Sequence, residues 1–231
     1  MSKPPIIVAH RGIHHAHPEN SIAAFELAIA DGFWVECDVH AALEGEPVVI
    51  HDDTLDRTAE ASGRVDAFHS LDLQQVRLRG SRQTVPTLRR ALAGGGSWLV
   101  EVKPPGEPRL VRRVVDELVR SNVRWVVQSF DADNVRELTA YRPQAAGAFL
   151  VEEADVLERA IAQRWPAVHV SHELLNTDLC DQLRAAGSSI GVWTVNEPAD
   201  IRRVLGLGVD MIITDEPHRA RALTEAMQSG T

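Results

Sequence analysis

The 231-residue sequence is 44% hydrophobic and 25% charged, which is typical of a folded globular protein with a sizeable core. A formal net charge of −9 argues against nucleic acid or acidic membrane surfaces as partners. The sequence has no apolar run long enough for a signal peptide or a membrane span, and its two cysteines suggest no disulfide framework. We therefore expect one cytoplasmic domain over residues 1–231, without stable membrane association.

A strand-then-helix rhythm runs through the chain, because short β-branched runs alternate with amphipathic stretches. The first unit is a strand at 6–9 and a helix at 20–31. Two strand-like runs follow, at 34–39 and 47–51. The later units are predicted, strand before helix, at 97–102 and 109–121, 124–128 and 131–141, 146–151 and 155–164, 167–171 and 177–186, 189–193 and 198–205, and 209–214 and 217–227.

This order of elements predicts a (β/α)8 TIM barrel around a parallel sheet. Nine strand-like runs compete for eight barrel positions, since no helix fits between residues 38 and 47, and the pattern does not say which run is extra. The segment 52–86 is polar, with turn signals such as Ser62-Gly63. We expect a small excursion on the top face between the second and third strand regions, which Leu55, Phe68 and Leu71 anchor onto the barrel.

Four of the predicted strands end in ionisable side chains. The segments are His10-Arg11-Gly12, Glu36-Cys37-Asp38, Ile50-His51-Asp52 and Glu101-Val102-Lys103. The carboxyl ends of parallel strands meet at one end of a barrel, where active sites are built. These side chains are therefore expected to converge on one catalytic mouth.

Two of these segments place charged residues two positions apart. Alternation along a strand puts Glu36 and Asp38 on one face, and likewise Glu101 and Lys103. Two neighbouring carboxylates inside a barrel repel each other and lose hydration, so they require a cation or hydrogen-bond donors. A bound divalent metal would satisfy that requirement.

The ordered series of motifs resembles the glycerophosphodiester phosphodiesterase family. The resemblance covers nearly the whole chain, and the series is far more specific than any single motif. It implies a hydrolase that cleaves a small-molecule phosphodiester to glycerol 3-phosphate and an alcohol. Further segments that carry it are Pro18-Glu19-Asn20-Ser21, Ser129-Phe130, Val192-Trp193-Thr194-Val195-Asn196 and Thr214-Asp215-Glu216-Pro217.

The resemblance also implies roles for individual residues. It makes His10 and His51 the acid and base catalysts. Oxygen ligands without an accompanying cysteine or histidine cluster suit Mg²⁺ or Ca²⁺, and the sequence does not choose between them. Nor does it say which histidine acts first as the base. The remaining implied residues are Glu36, Asp38 and Glu101 as ligands of one divalent metal ion, Arg11 and Lys103 as ligands of the phosphate oxygens, and Trp193 in the wall of the substrate pocket.

Other functions share much of this pattern. A lysophospholipase D-like or phospholipase-like phosphodiesterase acting on lipids would use nearly the same catalytic residues. A non-enzymatic phosphodiester-binding barrel would be expected to have lost one of them, and all are present. The polar segment 52–86 and the negative charge favour water-soluble substrates. The loop carrying His14, His15 and His17 is expected to be solvated rather than to bind a second metal.

Overall fold

The computed structural model describes residues 3–104 and 108–229, and it confirms the (β/α)8 barrel. Eight parallel strands form a ring that closes where β1 pairs with β2. The strands are β1 Ile6–Ala9, β2 Trp34–Ala41, β3 Pro47–Val49, β4 Ser97–Val102, β5 Arg124–Ser129, β6 Gly147–Val151, β7 Ala167–Ser171, β8 Ser189–Trp193 and β9 Met211–Thr214. The helices are α1 Ile22–Ala30, α2 Ser70–Leu73, α3 Leu88–Leu92, α4 Pro108–Arg120, α5 Ala132–Tyr141, α6 Ala154–Gln163, α7 Thr177–Ala186, α8 Pro198–Leu207 and α9 Pro217–Ser229.

The extra strand-like run is β3, which lies outside the parallel ring. It pairs antiparallel with β2, with Val39 opposite Val49 and Ala41 opposite Pro47. Antiparallel neighbours can be joined by a short turn, so no helix is needed between them. The turn is closed by hydrogen bonds from the Ala42 amide to the Glu46 carbonyl at 2.9 Å and from the Gly45 amide to the Ala42 carbonyl at 2.7 Å.

The excursion after β3 has an apolar core of its own. Leu55 and Phe68 were expected to anchor the excursion onto the barrel, but Leu55 is buried within this separate core and Phe68 packs against it. Leu71 is 74% exposed, so the expectation that it anchors the excursion was wrong. It lies in the one-turn helix α2, whose Leu73 is the residue that turns inward. The buried members of this core are Ala42, Val48, Ile50, Leu55, Ala59, Val65, Leu73, Leu78 and Val85.

Two helices were missing from the sequence-based prediction, the one-turn helix α2 and helix α3. Helix α3 has five residues and is capped by the preceding Thr87, whose hydroxyl accepts a hydrogen bond from the Arg90 amide at 3.3 Å. A helix this short does not complete two turns of the 3.6-residue pattern, so its periodicity cannot be recognised. In the described ranges, no helix has the length and apolarity needed to cross a lipid bilayer.

The turn after β1 brings the chain back over the barrel mouth. Gly12 has a φ of +80°, and a Cβ atom there would lie 2.8 Å from the Ala24 carbonyl carbon in α1. Only glycine allows this close approach of the backbone to the helix. The preceding residue, Arg11, also has a positive φ of 55°. This turn sets Arg11 above the ends of β1 and β2.

Candidate active site

Three carboxylates from β2 and β4 meet inside the barrel mouth. Glu36, Asp38 and Glu101 each present an oxygen, and these oxygens all lie within 4.8 Å of one another. The strand register explains the meeting, since Asp38 and Glu101 are direct neighbours across the β2–β4 pair. All three side chains are buried. The structure therefore brings together the three residues expected as metal ligands.

Two cations compensate for this buried negative charge. The Lys103 ammonium lies 2.8 Å from Asp38 Oδ1 and 2.6 Å from Glu101 Oε1. The Arg11 guanidinium lies 3.4 Å from Asp38 Oδ2, and the Arg11 backbone amide donates to Glu36 Oε2 at 2.9 Å. Both cations were expected at phosphate oxygens. In the structure they neutralise the carboxylates.

The three carboxylates differ in their affinity for protons. Burial opposes the ionisation of Asp38, but Lys103 and Arg11 outweigh it and hold the Asp38 pKa below its usual range. Burial and the charge of Asp38 raise the pKa of Glu36 well above its ordinary value. The same two causes raise the pKa of Glu101 to about 7. The cluster thus holds more negative charge than its surroundings neutralise.

Glu36 gives a direct sign that the cluster suits a cation. Its Oε1 is buried and has no hydrogen-bond partner among the described residues. A buried carboxylate oxygen without a donor is costly, and a metal ion would satisfy it. The donor set contains only oxygens, the ligands that Mg²⁺ and Ca²⁺ prefer. The residues present therefore fit one hard divalent ion.

His10 follows β1 and is held by a carboxylate that follows β9. Its Nδ1 lies 2.8 Å from Asp215 Oδ1. Burial opposes ionisation of Asp215, but the hydrogen bonds from His10 and His14 keep its pKa low, so the carboxylate can only accept. The Nδ1 atom of His10 therefore carries the proton. The Nε2 atom is left for other chemistry.

His51 has a matching arrangement on the other side of the mouth. Its Nδ1 donates to Asp52 Oδ1 at 2.7 Å. The Arg57 guanidinium donates to both oxygens of Asp52, at 2.7 Å and 2.9 Å, and holds the Asp52 pKa below its usual range. Burial lowers the pKa of His51 itself, which favours the neutral ring that a general base needs.

A single cavity of about 180 Å³ joins these groups at the barrel mouth. Trp193, which was expected in the wall of a substrate pocket, lines this cavity. The Trp193 ring packs edge-on against Phe130, with ring centroids 5.4 Å apart, and its indole donates to the His169 carbonyl at 3.0 Å. The cavity lining is His10, Arg11, Glu36, His51, Glu101, Lys103, Gln128, Phe130, Leu150, Glu152, Trp193, Thr194 and Ile213.

Residues 10–219 match the Glycerophosphoryl diester phosphodiesterase family. The chain belongs to this family. A protein named Glycerophosphodiester phosphodiesterase from Caldanaerobacter subterraneus is 29% identical, over 92% of this chain and 94% of its own length. A protein from Agrobacterium tumefaciens, whose crystal structure is described as that of a glycerophosphoryl diester phosphodiesterase, is 27% identical in sequence. The match covers 98% of this chain and 100% of that chain, and the two structures superpose with a TM-score of 0.90. A phosphodiesterase from Oleispira antarctica, solved in complex with the product sn-glycerol-3-phosphate, shares the fold at 24% identity and a TM-score of 0.87, covering 96% and 97% of the two chains.

Family membership confirms the expected class of enzyme, a phosphoric diester hydrolase. The family match spans every residue that the sequence suggested for the site, from His10 to Trp193. The three-dimensional arrangement of this phosphodiesterase adds partners that sequence reasoning left without a role. Those partners are Glu19, Asn20, Asp52, Arg57, Asn196 and Asp215.

The added partners form a network around the two histidines. Glu19 accepts from Arg11 at 3.0 Å and from Arg57 at 2.8 and 3.0 Å, so it connects Arg11, beside the carboxylate cluster, to the excursion. Asn20 donates to Asp38 Oδ2 at 2.7 Å. Glu19 and Asn20 belong to a motif that the sequence explains equally well as a helix start. Only the fold shows what they contact.

The histidine loop differs in part from expectation. His14 was expected to be solvated, but its Nε2 donates to Asp215 Oδ1 at 3.1 Å, the oxygen that also binds His10. His15 is more exposed and lies 3.6 Å from Glu216. His17 borders an open surface groove with Pro18. His14 therefore supports the carboxylate that orients His10.

A buried neutral pair, His169 and Gln128, lies beside the cavity, which Gln128 lines. His169 is buried, and its Nδ1 donates to Gln128 Oε1 at 2.7 Å. Burial lowers the pKa of His169 to about 4, so the ring is uncharged at neutral pH. The ring lies directly against Gly191, where a Cβ atom would be 2.3 Å from His169 Cδ2. The sequence analysis had identified neither His169 nor Gln128 as a residue near the site.

Proposed function

We propose that this protein hydrolyses glycerophosphodiesters to glycerol 3-phosphate and an alcohol, by metal-dependent acid–base catalysis with His10 and His51. One observation carries the proposal. Two histidines line one cavity with a cationic and carboxylate-rich wall, and each has its Nδ1 fixed by a carboxylate. Each ring thereby keeps Nε2 for proton transfer. We also propose that the chain works as one cytoplasmic domain over residues 1–231.

Glu36, Asp38 and Glu101 are the proposed ligands of one Mg²⁺ or Ca²⁺ ion. When bound, such an ion polarises a phosphoryl oxygen and favours ionisation of a hydroxyl. Lys103 pairs with two of the same carboxylates, so its ammonium is positioned beside the ion's ligands. The pKa of Lys103 is raised by Asp38 and Glu101 against the effect of burial, which keeps the side chain charged. Lys103 and Arg11 are the proposed donors to the phosphate oxygens.

The proposed reaction has two steps. First, the 2-hydroxyl of the glycerol attacks phosphorus, one histidine accepts its proton, and the other protonates the departing alcohol oxygen. Then water opens the cyclic phosphate, and the two histidines exchange roles. Because burial lowers the pKa of His51, this histidine is suited to act as the base in the first step, and it can return the proton in the second step.

Water-soluble diesters are the proposed substrates, in preference to acylated lysophospholipids. A lipid-binding enzyme needs a sizeable exposed apolar patch beside its site. The apolar residues of the excursion instead form its buried core, and Leu71 is its main exposed aliphatic side chain among the described residues. One exposed leucine is too small a surface for an acyl chain.

Activity can be tested by enzyme-coupled detection of glycerol 3-phosphate released from glycerophosphocholine, with lysophosphatidylcholine as the lipid competitor. Chelation should abolish turnover, and Mg²⁺ or Ca²⁺ should restore it. His10→Ala and His51→Ala should each lower kcat by about 10²–10⁴. His218→Ala is the matched control, because His218 lies on α9, half-exposed, and pairs with Asp31.

Different results would contradict different parts of the proposal. Full activity after exhaustive chelation would contradict the proposed dependence on a metal ion. If His10→Ala or His51→Ala keeps more than about a tenth of the parental kcat, that histidine is not the acid or base catalyst. A higher kcat/KM for lysophosphatidylcholine would replace the proposed substrate with a lipid.

A further inference from the structure

The cavity has two chemically different sides. The groups from β1 to β4 include the histidines, the carboxylate cluster and the two cations. The side formed by β5 to β8 carries no cation among its described lining residues. That second side is lined by Gln128, Phe130, Leu150, Glu152, Trp193 and Thr194.

Glu152 is the unusual member of this second side. It follows β6 directly, two residues after the inward-facing Leu150, so the alternation of the strand directs it toward the barrel mouth. It lines the cavity yet makes no hydrogen bond or ion pair with any residue in the described part of the chain. The other two acidic lining residues, Glu36 and Glu101, belong to the proposed metal site.

The aromatic neighbours of Glu152 give this side a second property. Phe130 follows β5 and Trp193 ends β8, so the two rings border the same side of the mouth as Glu152. Their planes are perpendicular, at 90°, with centroids 5.4 Å apart, and so they form a corner. Aromatic faces attract organic cations, and a nearby carboxylate adds to that attraction.

We propose that Glu152, Phe130 and Trp193 form a subsite for an ammonium group on the alcohol part of the substrate. This inference rests on the proposed function. It makes the preferred substrates zwitterionic diesters, whose phosphate binds beside Arg11 and Lys103 while the ammonium binds at Glu152. The charges of such a substrate match the two sides of the cavity. A diester with a neutral polyol in place of the ammonium would leave the Glu152 carboxylate without a partner.

The experiment compares three diesters: glycerophosphocholine, glycerophosphoethanolamine and glycerophosphoglycerol. In Glu152→Gln, kcat/KM for the two ammonium-bearing diesters should fall about three- to tenfold, the range expected for an exposed ion pair and a cation–π contact. For glycerophosphoglycerol it should change less than about twofold. Added salt should reduce the preference of the parental protein for the ammonium diesters, since it screens exposed charges.

Glu153→Gln is the matched control. Glu153 is the next residue and is also exposed, but it does not line the cavity and its side chain does not cap α6. It should leave the ranking of the three diesters unchanged. An equal loss on all three diesters in Glu152→Gln, or no loss on any, would overturn the subsite. If the parental protein hydrolyses none of the three, the proposed function itself fails, and the subsite with it.

Discussion

The buried carboxylate Glu101 should make the metal-free protein less stable as pH rises. Its folded pKa is about 7, against an ordinary value of 4.5. Between these values the folded state holds a proton that the unfolded state has lost, so the stabilisation is complete below pH 4.5 and disappears as pH passes 7. A difference of about 2.5 pH units corresponds to about 3 kcal/mol, at about 1.4 kcal/mol per unit.

The variant Glu101→Gln isolates this effect, because glutamine keeps the shape and cannot ionise. His169 acts in the opposite direction, since its folded pKa of about 4 lies below the ordinary 6.5, and stability is gained as pH rises between them. That contribution is the same in both proteins and cancels in their difference. Removing the charge of residue 101 also weakens the electrostatic repulsion that, together with burial and Asp38, raises the pKa of Glu36. Glu101 and Glu36 therefore both make the unfolding free energy of the parental protein fall as pH rises.

The assay is urea unfolding in the presence of chelator at pH 5, 6, 7 and 8, followed by fluorescence of the five tryptophans. Relative to Glu101→Gln, the parental protein should lose about 2–3 kcal/mol of unfolding free energy from pH 5 to pH 8, because a small part of the full difference is already lost at pH 5. Glu117→Gln is the control, because Arg89 and Arg120 lower the pKa of Glu117 against the effect of burial and keep it ionised throughout. Parallel pH curves for the parental protein and Glu101→Gln would refute the reasoning.

Two further predictions concern residues that support the site. Arg57→Ala should remove the two hydrogen bonds to Asp52 and lower kcat about three- to thirtyfold. The limb of the pH–rate profile that reports the ionisation of His51 should also shift. An unchanged pH–rate profile would show that Arg57 has a structural role only. Gly191→Ala should lower the unfolding free energy by about 1–3 kcal/mol, because the added Cβ meets the His169 ring. Its control, Gly206→Ala in α8, has open space and should be neutral or stabilising, and equal urea midpoints for the two would count against the packing argument.

Much of the barrel could be predicted because its strands are short, buried and regularly spaced. The bounds of β4, β7 and β8 agree with the sequence pattern to the residue. Alternation also placed Glu36 beside Asp38 correctly on one face of β2, since a strand has a period of two whatever its surroundings. The convergence of His10 and Glu101 followed from the parallel arrangement of β1 and β4, whereas His51 reaches the same mouth after the antiparallel strand β3.

What could not be predicted depends on contacts between distant residues. Asp215 holds His10 across 205 positions of sequence, and no local pattern connects the two. The direction of β3 was open because a short apolar run has the same period in parallel and antiparallel sheets. The excursion looked polar since its core residues are spread over many turns and no helix or strand period relates them. Lys103 was expected at phosphate alone, yet it also compensates Asp38 and Glu101.

The two histidines are supported in the same way from opposite sides of the mouth. Asp215 fixes Nδ1 of His10 and is itself held by Asn196 at 2.6 Å, while Asp52 fixes Nδ1 of His51 and is held by Arg57. A two-step reaction in which acid and base exchange roles requires each ring to be competent in both protonation states. A carboxylate at Nδ1 meets that requirement, because it stabilises the cationic ring and fixes the tautomer of the neutral one. The matched supports are therefore what the proposed exchange of roles needs, and both Asp52 and Asp215 belong to segments that carry the family resemblance.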